Sequence, residues 1–397
     1  MKILLVAERY WPEVGAAPSR LANMAEGLKV KGCEVDVLTS LPNYPKGEIF
    51  DGYKGCVSKH EVRNGVELFR YWIYATVSKS AVARMVNMFS FAVMIWLFAF
   101  RRSRIKQYDR VIIQTPTLVV AVSAMWIFKV LYHKKCVLNV SDIWPSTAVD
   151  MGAMKEGSRP YRFMAKCERY LYRKSDAVLG QSNEILQHIA GFEERPDKLF
   201  LYRNLQTYPI DKDFKKKGSP VKVVFSGMLG VAQDVAGIAK HIPFKELGIE
   251  FHILGGGKQL EEIQQYIANN PDCNVFAHGF VAKEEISGWM EKFDASIVPL
   301  FVRIKGAVPS KIYDILPQGL PILFCGGGEG ADFISSHHAG FVSEPGDYAA
   351  LQKNIEILRD MSDAEYEQMS ANCITTTRNE LNFDKQMKEC IEFLKNL

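Results

Sequence analysis

The sequence predicts an α/β protein made of two doubly wound domains, each built on a parallel sheet. Three observations carry this prediction. Short apolar runs, typical of strands buried on both faces, alternate with helical segments in both halves of the chain. Glycine-containing loops follow several of these runs, and a charged segment containing Pro and Gly, 206–220, interrupts the pattern midway. A length of 397 residues suits two domains better than one core.

The first half begins with a βαβ pattern. A strand at Lys2–Ala7 precedes a helix at Ser19–Lys31, which ends at Gly32, and a second strand at Glu34–Ser40. Such a unit predicts a right-handed connection between parallel strands. Further strands are predicted at Arg110–Gln114, Cys136–Val140, Ala177–Gly180 and Leu199–Tyr202, with a helix at Ser182–Ala190.

The second half repeats the pattern after the predicted linker, 206–220. Its predicted strands are Val221–Ser226, Glu250–Leu254, Asn274–Ala277, Ala295–Pro299 and Pro321–Cys325, with a helix at Gln259–Asn269. The domains are therefore expected at 1–205 and 221–382. We expect the last helix, 383–397, to pack back on the first domain.

Composition excludes several classes of protein. A formal net charge of +4 argues against a nucleic-acid partner. Eight scattered cysteines without a CxxC pair argue against a metal site or a disulfide framework and fit a reducing cytoplasm. The short apolar N-terminus, interrupted at Glu8, does not read as a signal peptide. We expect a cytoplasmic protein that needs no metal.

The stretch 308–328 is the most informative part of the chain. Pro309-Ser310 is a helix-start signal, and the free N–H groups of a helix start suit a phosphate. Asp314, one turn later, can hold a ribose, and a Gly-Leu-Pro stop, an apolar strand and a glycine loop follow. Together these features predict a site for a nucleotide-sugar diphosphate, and hence a glycosyltransferase.

Three other loops follow predicted strands. Gly15 lies where the first strand passes into its helix, so backbone can approach a ligand there, although the loop is not GxGxxG and also fits an ordinary βα loop. Asp142 follows an apolar strand and can orient a hydroxyl, or it can cap the next turn. Gly227, in the loop 225–234, can present backbone N–H groups to phosphates, or the loop is a plain helix entry.

Basic side chains lie close to this stretch in the sequence. Arg303, Lys305 and Lys311 can help a diphosphate to leave. An exposed lysine is usually only solvated, which is the alternative for each of them.

The segment 79–106 combines an apolar body with basic flanks. Sixteen uncharged residues lie between Arg84 and Arg101, which is short for a membrane-spanning helix. The flanks, with Lys79 on one side and Arg102, Arg104 and Lys106 on the other, suit a helix lying in an anionic membrane surface. A core helix of the first domain is the alternative. Both interpretations hold if one face of the helix packs on the core and the other face meets the membrane. The segment 119–135 shows the same combination of apolar and basic residues less strongly. Its residues of these two kinds are Trp126, Phe128 and Tyr132, and Lys129, Lys134 and Lys135.

With these segments assembled, the chain resembles the retaining glycosyltransferases of family 4, which have the GT-B fold of two Rossmann-like domains facing a cleft. Within the family it is similar to bacterial O-antigen and capsule enzymes, including N-acetyl-L-fucosamine-type transferases. The segments that carry the resemblance are WPEVGAAPSR (11–20), LPNYPKG (41–47), DIWP (142–145), FSGMLGVAQD (225–234), HGFV (278–281) and VPSKIYDILPQGLPI (308–322).

The resemblance implies that the second domain binds the donor nucleotide. Asp314 matches the family's ribose-binding glutamate, with a shorter reach, and Ser310 and Lys311 match the helix start facing the diphosphate. His278, Gly279 and Phe280 match the turn that contacts the base. Gly15, Gly227 and Gln233 complete the predicted donor site.

The first domain is implied to bind the acceptor, with Asn43, Tyr44 and Trp144 as candidate contacts. The expected reaction moves a sugar from a UDP-sugar to a polyprenyl-diphosphate-linked saccharide, with retention and without a metal. Asp142 then orients the acceptor, and Lys311 and Lys305 assist the leaving group. These partners place the protein on the inner face of the cell membrane, as a peripheral protein.

Two departures from the family pattern matter. The Arg/Lys pair that many members carry after the first strand of the second domain is replaced here by Met228 and Gln233, so Arg303, Lys305 or Lys311 must supply the charge. Gly306 stands where the family has a glutamate that contacts the donor sugar. An unusual donor, such as a deoxy or N-acetylamino sugar, is therefore expected.

Two alternatives share this architecture. A non-hydrolysing UDP-sugar epimerase would need acid and base groups around the sugar and would have little use for a basic apolar helix. A non-catalytic partner subunit would explain both departures.

Overall fold

The computed structural model describes residues 1–78, 80–192, 195–207, 213–282 and 285–397, which form two compact units. The first unit comprises Met1–Asn204 and Phe383–Leu397, and the second comprises Leu205–Asn382. Lys79, one of the predicted basic flanks, and residues 208–212 of the predicted linker lie outside the described residues.

The first unit is built on one mixed, mostly parallel sheet. Its strands in chain order are β1 (Lys2–Val6), β2 (Glu34–Ser40), β3 (Ser58–Arg63), β4 (Val66–Tyr71), β5 (Arg110–Gln114), β6 (Lys135–Val140), β7 (Ala177–Gly180) and β8 (Leu199–Leu201). Among the residues described, they are ordered β3-β4-β2-β1-β5-β6-β7-β8, and only the β3–β4 pair is antiparallel.

Helices cover both faces of this sheet. They are α1 (Ala16–Val30), α2 (Ala81–Met94), α3 (Trp96–Ala99), α4 (Arg102–Lys106), α5 (Leu118–Met125), a π-helix (Trp126–Leu131), α6 (Ser146–Asp150), α7 (Arg159–Lys174), α8 (Asn183–Ala190), a 3-10 turn (Pro196–Lys198) and the C-terminal helix (Phe383–Lys395). Alternate β1 residues enter two separate cores: Leu4 packs on the α2 and α5 side, and Leu5 on the side of α1 and the C-terminal helix. Burial on both faces explains the unbroken apolar run of β1.

The C-terminal helix belongs to the first unit. Met387, Cys390 and Leu394 are buried in the core that includes α1. Gln386 accepts a hydrogen bond from the backbone N–H of Arg203 (2.9 Å) and donates one to its carbonyl (3.0 Å). The C-terminal helix is therefore held to the segment after β8, 183 positions earlier in the chain, by specific hydrogen bonds as well as by burial.

The second unit carries a parallel sheet. Its elements in chain order are β9 (Lys222–Ser226), α9 (Val235–His241), α10 (Phe244–Leu247), β10 (Glu250–Leu254), α11 (Leu260–Asn269), β11 (Val275–Gly279), α12 (Ile286–Met290), β12 (Ala295–Pro299), α13 (Ser310–Ile315), a 3-10 turn (Leu316–Gln318), β13 (Ile322–Cys325), α14 (Glu329–Ser336), β14 (Gly340–Ser343), α15 (Tyr348–Asp360) and α16 (Asp363–Glu380), and the C-terminal helix is α17. The described strands are ordered β11-β10-β9-β12-β13-β14. Both units therefore have the doubly wound architecture predicted from the sequence.

The predicted linker differs from the structure. Within its described residues, 206–207 and 213–220, the stretch 213–220 packs on the second unit, because buried polar groups there bind its backbone. Ser370 accepts from the N–H of Lys215 (2.8 Å), and Asp294 accepts from the N–H groups of Gly218 (2.8 Å) and Lys222 (2.7 Å). Two lysines of this segment donate to carbonyl groups: Lys215 to Met290 (2.9 Å) and Lys217 to Arg359 (3.0 Å).

Candidate active site

The chain reverses direction across the second sheet between β9 and β12. From β9 it winds outward to β10 and β11, then returns to place β12 on the other side of β9. Loops at such a switch point separate, and in open α/β sheets ligands bind there, outside the carboxyl ends of the strands. Gly227 begins the loop after β9, and the loop 300–309 leads from β12 into α13.

Glycines let the loops after β9, β10 and β11 lie against one another. The N–H of Gly227 donates to Leu254 (2.8 Å), that of Leu229 to Gly256 (3.0 Å), and that of Gly255 to Gly279 (2.7 Å). At Gly255, a Cβ would collide with the carbonyl of Gly227, and its φ is +154°. Only glycine allows this approach, so the loops form one continuous backbone surface at the edge of the sheet.

Lys311 brings a cation to this surface. Its ammonium nitrogen lies 4.1 Å from the ring centroid of Phe225, and a Cβ at Gly227 would collide with it. Burial lowers the pKa of Lys311 to about 8, against the opposing effect of the Asp314 charge. An anion bound here would restore the favourable environment that a buried ammonium lacks. The charge of Lys311, one of the three candidates for the missing basic pair, thus lies at the β9 loop.

Ser310 and Asp314 are on the same short helix as Lys311. Ser310 is the first residue of α13, which has only six residues before a 3-10 turn, so its dipole adds little. Asp314 lies one turn after Ser310 and accepts a hydrogen bond from the Gln206 side chain at 3.0 Å. The helix therefore carries a hydroxyl, an ammonium and a carboxylate within five residues.

His278 is the extra residue of a β-bulge. Ile253 pairs with Ala277 and Leu254 with Gly279, so His278 is left between them. His278 and His252 share a hydrogen bond of 2.9 Å, and Glu250 binds the other nitrogen of His252 at 3.0 Å. Burial lowers the pKa of both histidines.

Next to this bulge, Gly279 has a φ of +72°. Phe280 is 85% exposed at the end of the same strand, where a planar ring can stack on a base. The predicted base-contacting residues are thus adjacent, on a strand end whose geometry is irregular.

The remaining predicted donor residues lie around the β9 and β12 loops. Arg303 reaches toward the glycine loop, with its Cδ 3.7 Å from the position of a Cβ on Gly327, and Lys305 is exposed. Gln233 lines a small pocket with Phe301 and Tyr348. Met228, at one position of the missing basic pair, is 72% exposed and leaves that part of the loop apolar.

In the first unit, Glu13 joins the Gly15 loop to the predicted acceptor residues. Its Oε1 accepts from the N–H groups of Asn43 (2.9 Å) and Tyr44 (2.8 Å), and its Oε2 accepts from that of Tyr10 (3.2 Å). The Asn43 side chain is buried and donates to Leu41 at 3.0 Å, so it braces its own loop. The Tyr44 ring lies 3.6 Å from the position of a Cβ on Gly15 and 4.4 Å from Arg9.

Asp142 lies two residues after β6, beside a buried arginine. Burial raises the pKa of its carboxyl, and the charge of Arg20 opposes the rise. Arg20, on α1, is 6% exposed, and it donates from Nε to the Gln181 amide oxygen at 2.8 Å in the orientation that satisfies both groups. Trp144 is partly buried against the core, so much of its ring serves packing.

The sequence predictions missed several of these residues. They are Glu13 and Arg20, which lie within the segment 11–20, Glu8, which precedes that segment, and Gly255 in the loop after β10. A second glycine loop after a buried strand was the available signal, because two such loops on neighbouring strands must meet at one edge of the sheet.

Within the described ranges, no group of three or more His, Cys, Asp and Glu side chains is arranged to hold a metal ion.

Comparisons with known proteins agree with this architecture. The family model of the glycosyl transferase 4-like domain matches residues 15–204, and that of glycosyl transferases group 1 matches residues 221–360. A sucrose-phosphate synthase from Thermosynechococcus elongatus has a TM-score of 0.70 at 12% identity, over 100% of this chain and 98% of its own. HepE of Anabaena, solved with UDP and glucose, has a TM-score of 0.67 at 14% identity, over 100% of both chains.

A curated relative is 29% identical over 157 residues, the colanic acid biosynthesis glycosyl transferase WcaI of Escherichia coli (strain K12). That match covers 40% of this chain, and the chain spans only 38% of the relative's length. The fold and its paired Rossmann-like domains define the class, the GT-B glycosyltransferases. Because the two family models together span nearly all of both domains, the chain belongs to family 4 of that class.

Proposed function

We propose that this glycosyltransferase transfers a sugar from a UDP-sugar to a lipid-linked saccharide, with retention at the anomeric carbon, in the synthesis of a bacterial surface polysaccharide such as O-antigen or capsule. One observation carries the donor half of the proposal: the Lys311 ammonium lies against the glycine-lined β9 loop, with Asp314 on the same helix. The assignment to polysaccharide synthesis is supported by the relative named for colanic acid biosynthesis. UDP is supported by HepE, which was solved with UDP and glucose.

In the proposed reaction, the bond between the anomeric carbon and the β-phosphate oxygen breaks, and a bond to an acceptor hydroxyl oxygen forms on the same face. The acceptor proton passes to the departing phosphate oxygen, which becomes part of UDP. Lys311 and the N–H groups of the β9 loop stabilise the negative charge on the leaving diphosphate. Lys305 is proposed to assist the same charge, and Asp314 to hold the ribose hydroxyls.

The identity of the sugar is proposed to depart from the common hexoses. Gly306 is buried with a φ of +80°, so no carboxylate can be supplied from that position, and Met228 adds an apolar side chain to the same loops. A donor with a methyl or N-acetyl group in place of a hydroxyl suits this lining better than a fully hydroxylated hexose.

The membrane part of the proposal rests on α2 and α3. One face of this segment is buried in the first core through Phe91, Ile95 and Phe98. Its other face remains exposed, and the exposed large side chains are Val82, Met85, Val86, Phe89, Val93, Trp96 and Leu97. Among the described residues, Val82–Ala99 is also the one helical segment long and apolar enough to cross a membrane, and 28% of it is buried. We propose that it lies in the surface of an anionic membrane on the cytoplasmic side.

The basic residues around that face are fewer than the sequence indicated. Arg104 forms ion pairs with Asp36 (3.0 Å) and Glu67 (2.5 Å), so it anchors α4 to the sheet. In the second stretch, Phe128 is buried, Lys129 pairs with Asp176 (2.6 Å), and Lys134 donates to Lys106 and Tyr108 carbonyls (2.8 Å each). Arg84, Arg101, Arg102 and Lys106 are exposed, and the proposal retains these cations.

A thermal-shift screen of UDP, GDP and their sugars, followed by product analysis, tests the proposed function. We expect UDP and at least one UDP-sugar to raise the melting temperature, and the product to be a glycoside rather than an epimerised nucleotide sugar. An epimerised UDP-sugar formed without acceptor would support the epimerase instead. No stabilisation by any of these nucleotides would contradict the proposal.

A further inference from the structure

The first sheet has its own switch point, between β1 and β5. From β1 the chain winds to β2 on one side and later returns to place β5 on the other. The loops after β1 and β5 therefore flank a crevice of the kind in which open α/β sheets bind ligands. Glu8 lies two residues after β1, and Thr117 three residues after β5.

Glu8 is a nearly buried carboxyl with unused bonding capacity. Its side chain is 9% exposed, and Oε2 has no hydrogen-bond partner within the described part of the chain. Arg9 is 3.9 Å from Oε1, too far for a good hydrogen bond. Burial raises the pKa of Glu8, and the Arg9 charge and a hydrogen bond from the Thr117 side chain oppose the rise, while Glu13 adds to it.

Glu13 shows what a structural carboxyl looks like in the same loop. Both of its oxygens are filled by backbone N–H groups, from Asn43, Tyr44 and Tyr10. Glu8 has no such set of donors. A buried polar atom left without a partner destabilises the folded protein, so its retention calls for a ligand that completes it.

We infer that Glu8 binds a hydroxyl group of the acceptor saccharide through the carboxylate oxygen that has no partner. The inference rests on the proposed glycosyl transfer. In this arrangement the ionised carboxylate accepts a hydrogen bond from the hydroxyl. Asp142, in the loop after β6, and Arg20, on α1, are further charged groups of the first unit near the carboxyl ends of its strands.

The test measures binding of octyl β-glycosides of glucose, galactose and N-acetylglucosamine, below their micelle concentrations and with saturating UDP, by saturation-transfer NMR. We expect Glu8→Gln to weaken the binding of the preferred glycoside about tenfold, because a hydrogen bond to a charged group becomes one to a neutral group. Glu34→Gln, the same change at the amino end of β2, serves as the matched control and should leave binding unchanged.

The pH profile separates a positioning role from a general loss of structure. Wild-type affinity should fall as pH drops through the raised pKa of Glu8, above 4.5. Thr117→Val removes the bond that lowers this pKa, so the fall should move to higher pH, and Glu8→Gln should show none. Glu8→Gln should also keep or raise the melting temperature at pH 7.5, because it removes a desolvated carboxylate.

Two results would overturn the inference: Glu8→Gln binding the glycosides as wild type does, or wild type binding none of them while UDP still raises its melting temperature. Loss of the UDP response itself would instead contradict the proposed function.

Discussion

Gly227 and Lys311 depend on each other at the residue scale. The glycine has a φ of +143° and lacks the Cβ that would collide with the lysine ammonium. The lysine has a pKa lowered to about 8 by burial, so the free protein holds a cation in an environment that disfavours its charge. The free protein therefore bears the unfavourable free energy of a buried ammonium, which a bound anion would relieve. Such a site is suited to bind an anion.

Gly227→Ala tests this dependence. The new Cβ displaces the ammonium and strains the backbone, so we expect UDP affinity to fall at least about tenfold and the melting temperature to drop. Calorimetric titration with UDP and a thermal melt measure the two effects. Gly256→Ala is the matched control, since nothing lies within 4 Å of its Cβ position. Equal UDP affinity in both variants would contradict the assignment of Gly227.

The sequence was most informative about residues that bear charge next to a recognisable motif. Lys311 was predicted because it directly follows a helix-start signal. Asp314 was predicted because it lies one turn after that signal. His252, Glu8 and Arg20 were not, since their positions follow from neighbouring strands and not from neighbouring residues. The acceptor role of Asn43 stays a prediction, and its side-chain amide donates a hydrogen bond to the Leu41 carbonyl within its own loop.

At the scale of elements, one carboxylate holds two loops of the first unit together. Glu13 bonds the N–H groups of Asn43 and Tyr44 in one loop and of Tyr10 in the other. The loops also meet through buried Arg70, which donates to the carbonyls of Trp11 and Ser40. The Gly15 loop therefore has a fixed position before any ligand binds.

Glu13→Gln should loosen both loops. An amide offers one acceptor oxygen where the carboxylate offers two, so at least one buried N–H loses its partner, at a cost of about 1–3 kcal/mol in the free energy of unfolding. Denaturant unfolding measures the loss, and hydrogen exchange should localise it to 8–15 and 41–47. The UDP-induced shift should persist because UDP is proposed to bind the second unit. Unchanged protection of both loops would contradict this account of Glu13.

The sequence predicted strands correctly where burial produces a continuous run of apolar residues. The runs Glu34–Ser40, Arg110–Gln114 and Glu250–Leu254 are strands at the predicted bounds. The β3–β4 hairpin was missed because β3 is half-exposed and carries charge, although its turn, Asn64-Gly65, with both φ angles positive, is a strong hairpin signal.

At the scale of the whole molecule, the proposed membrane surface consists of apolar residues that are not buried in the core. The exposed side of α2 and α3 lies next to α5, because the Trp96 indole donates a hydrogen bond to Ser123 on α5 at 2.9 Å. The π-helix follows α5 directly in the chain. Trp126 and Leu131 on that π-helix are 50% and 54% exposed. Contiguous exposed apolar side chains with cations around them are typical of a surface that binds a membrane or a protein.

Phe89→Glu with Val93→Glu should release the protein from anionic vesicles, because both changes place a charge on the apolar face. Flotation with phosphatidylglycerol-containing vesicles measures binding, and Val62→Glu, an exposed valine on β3, is the control. Arg102→Gln should weaken binding and its salt dependence. Full retention of the double variant on vesicles would contradict the proposed surface.

The central claim is that Lys311 supplies the charge for a donor diphosphate, and UDP affinity between pH 7 and 9 tests it most directly. A bound diphosphate favours the charged ammonium, so wild-type affinity should fall as pH rises through about 8. Lys311→Met should bind at least about tenfold more weakly at pH 7, with little pH dependence, while the melting temperature of its free form does not fall. Lys240→Met, an exposed lysine paired with Glu262, is the control. Wild-type affinity that stays constant across this range, or a Lys311→Met variant that binds UDP as tightly as wild type, would contradict the claim.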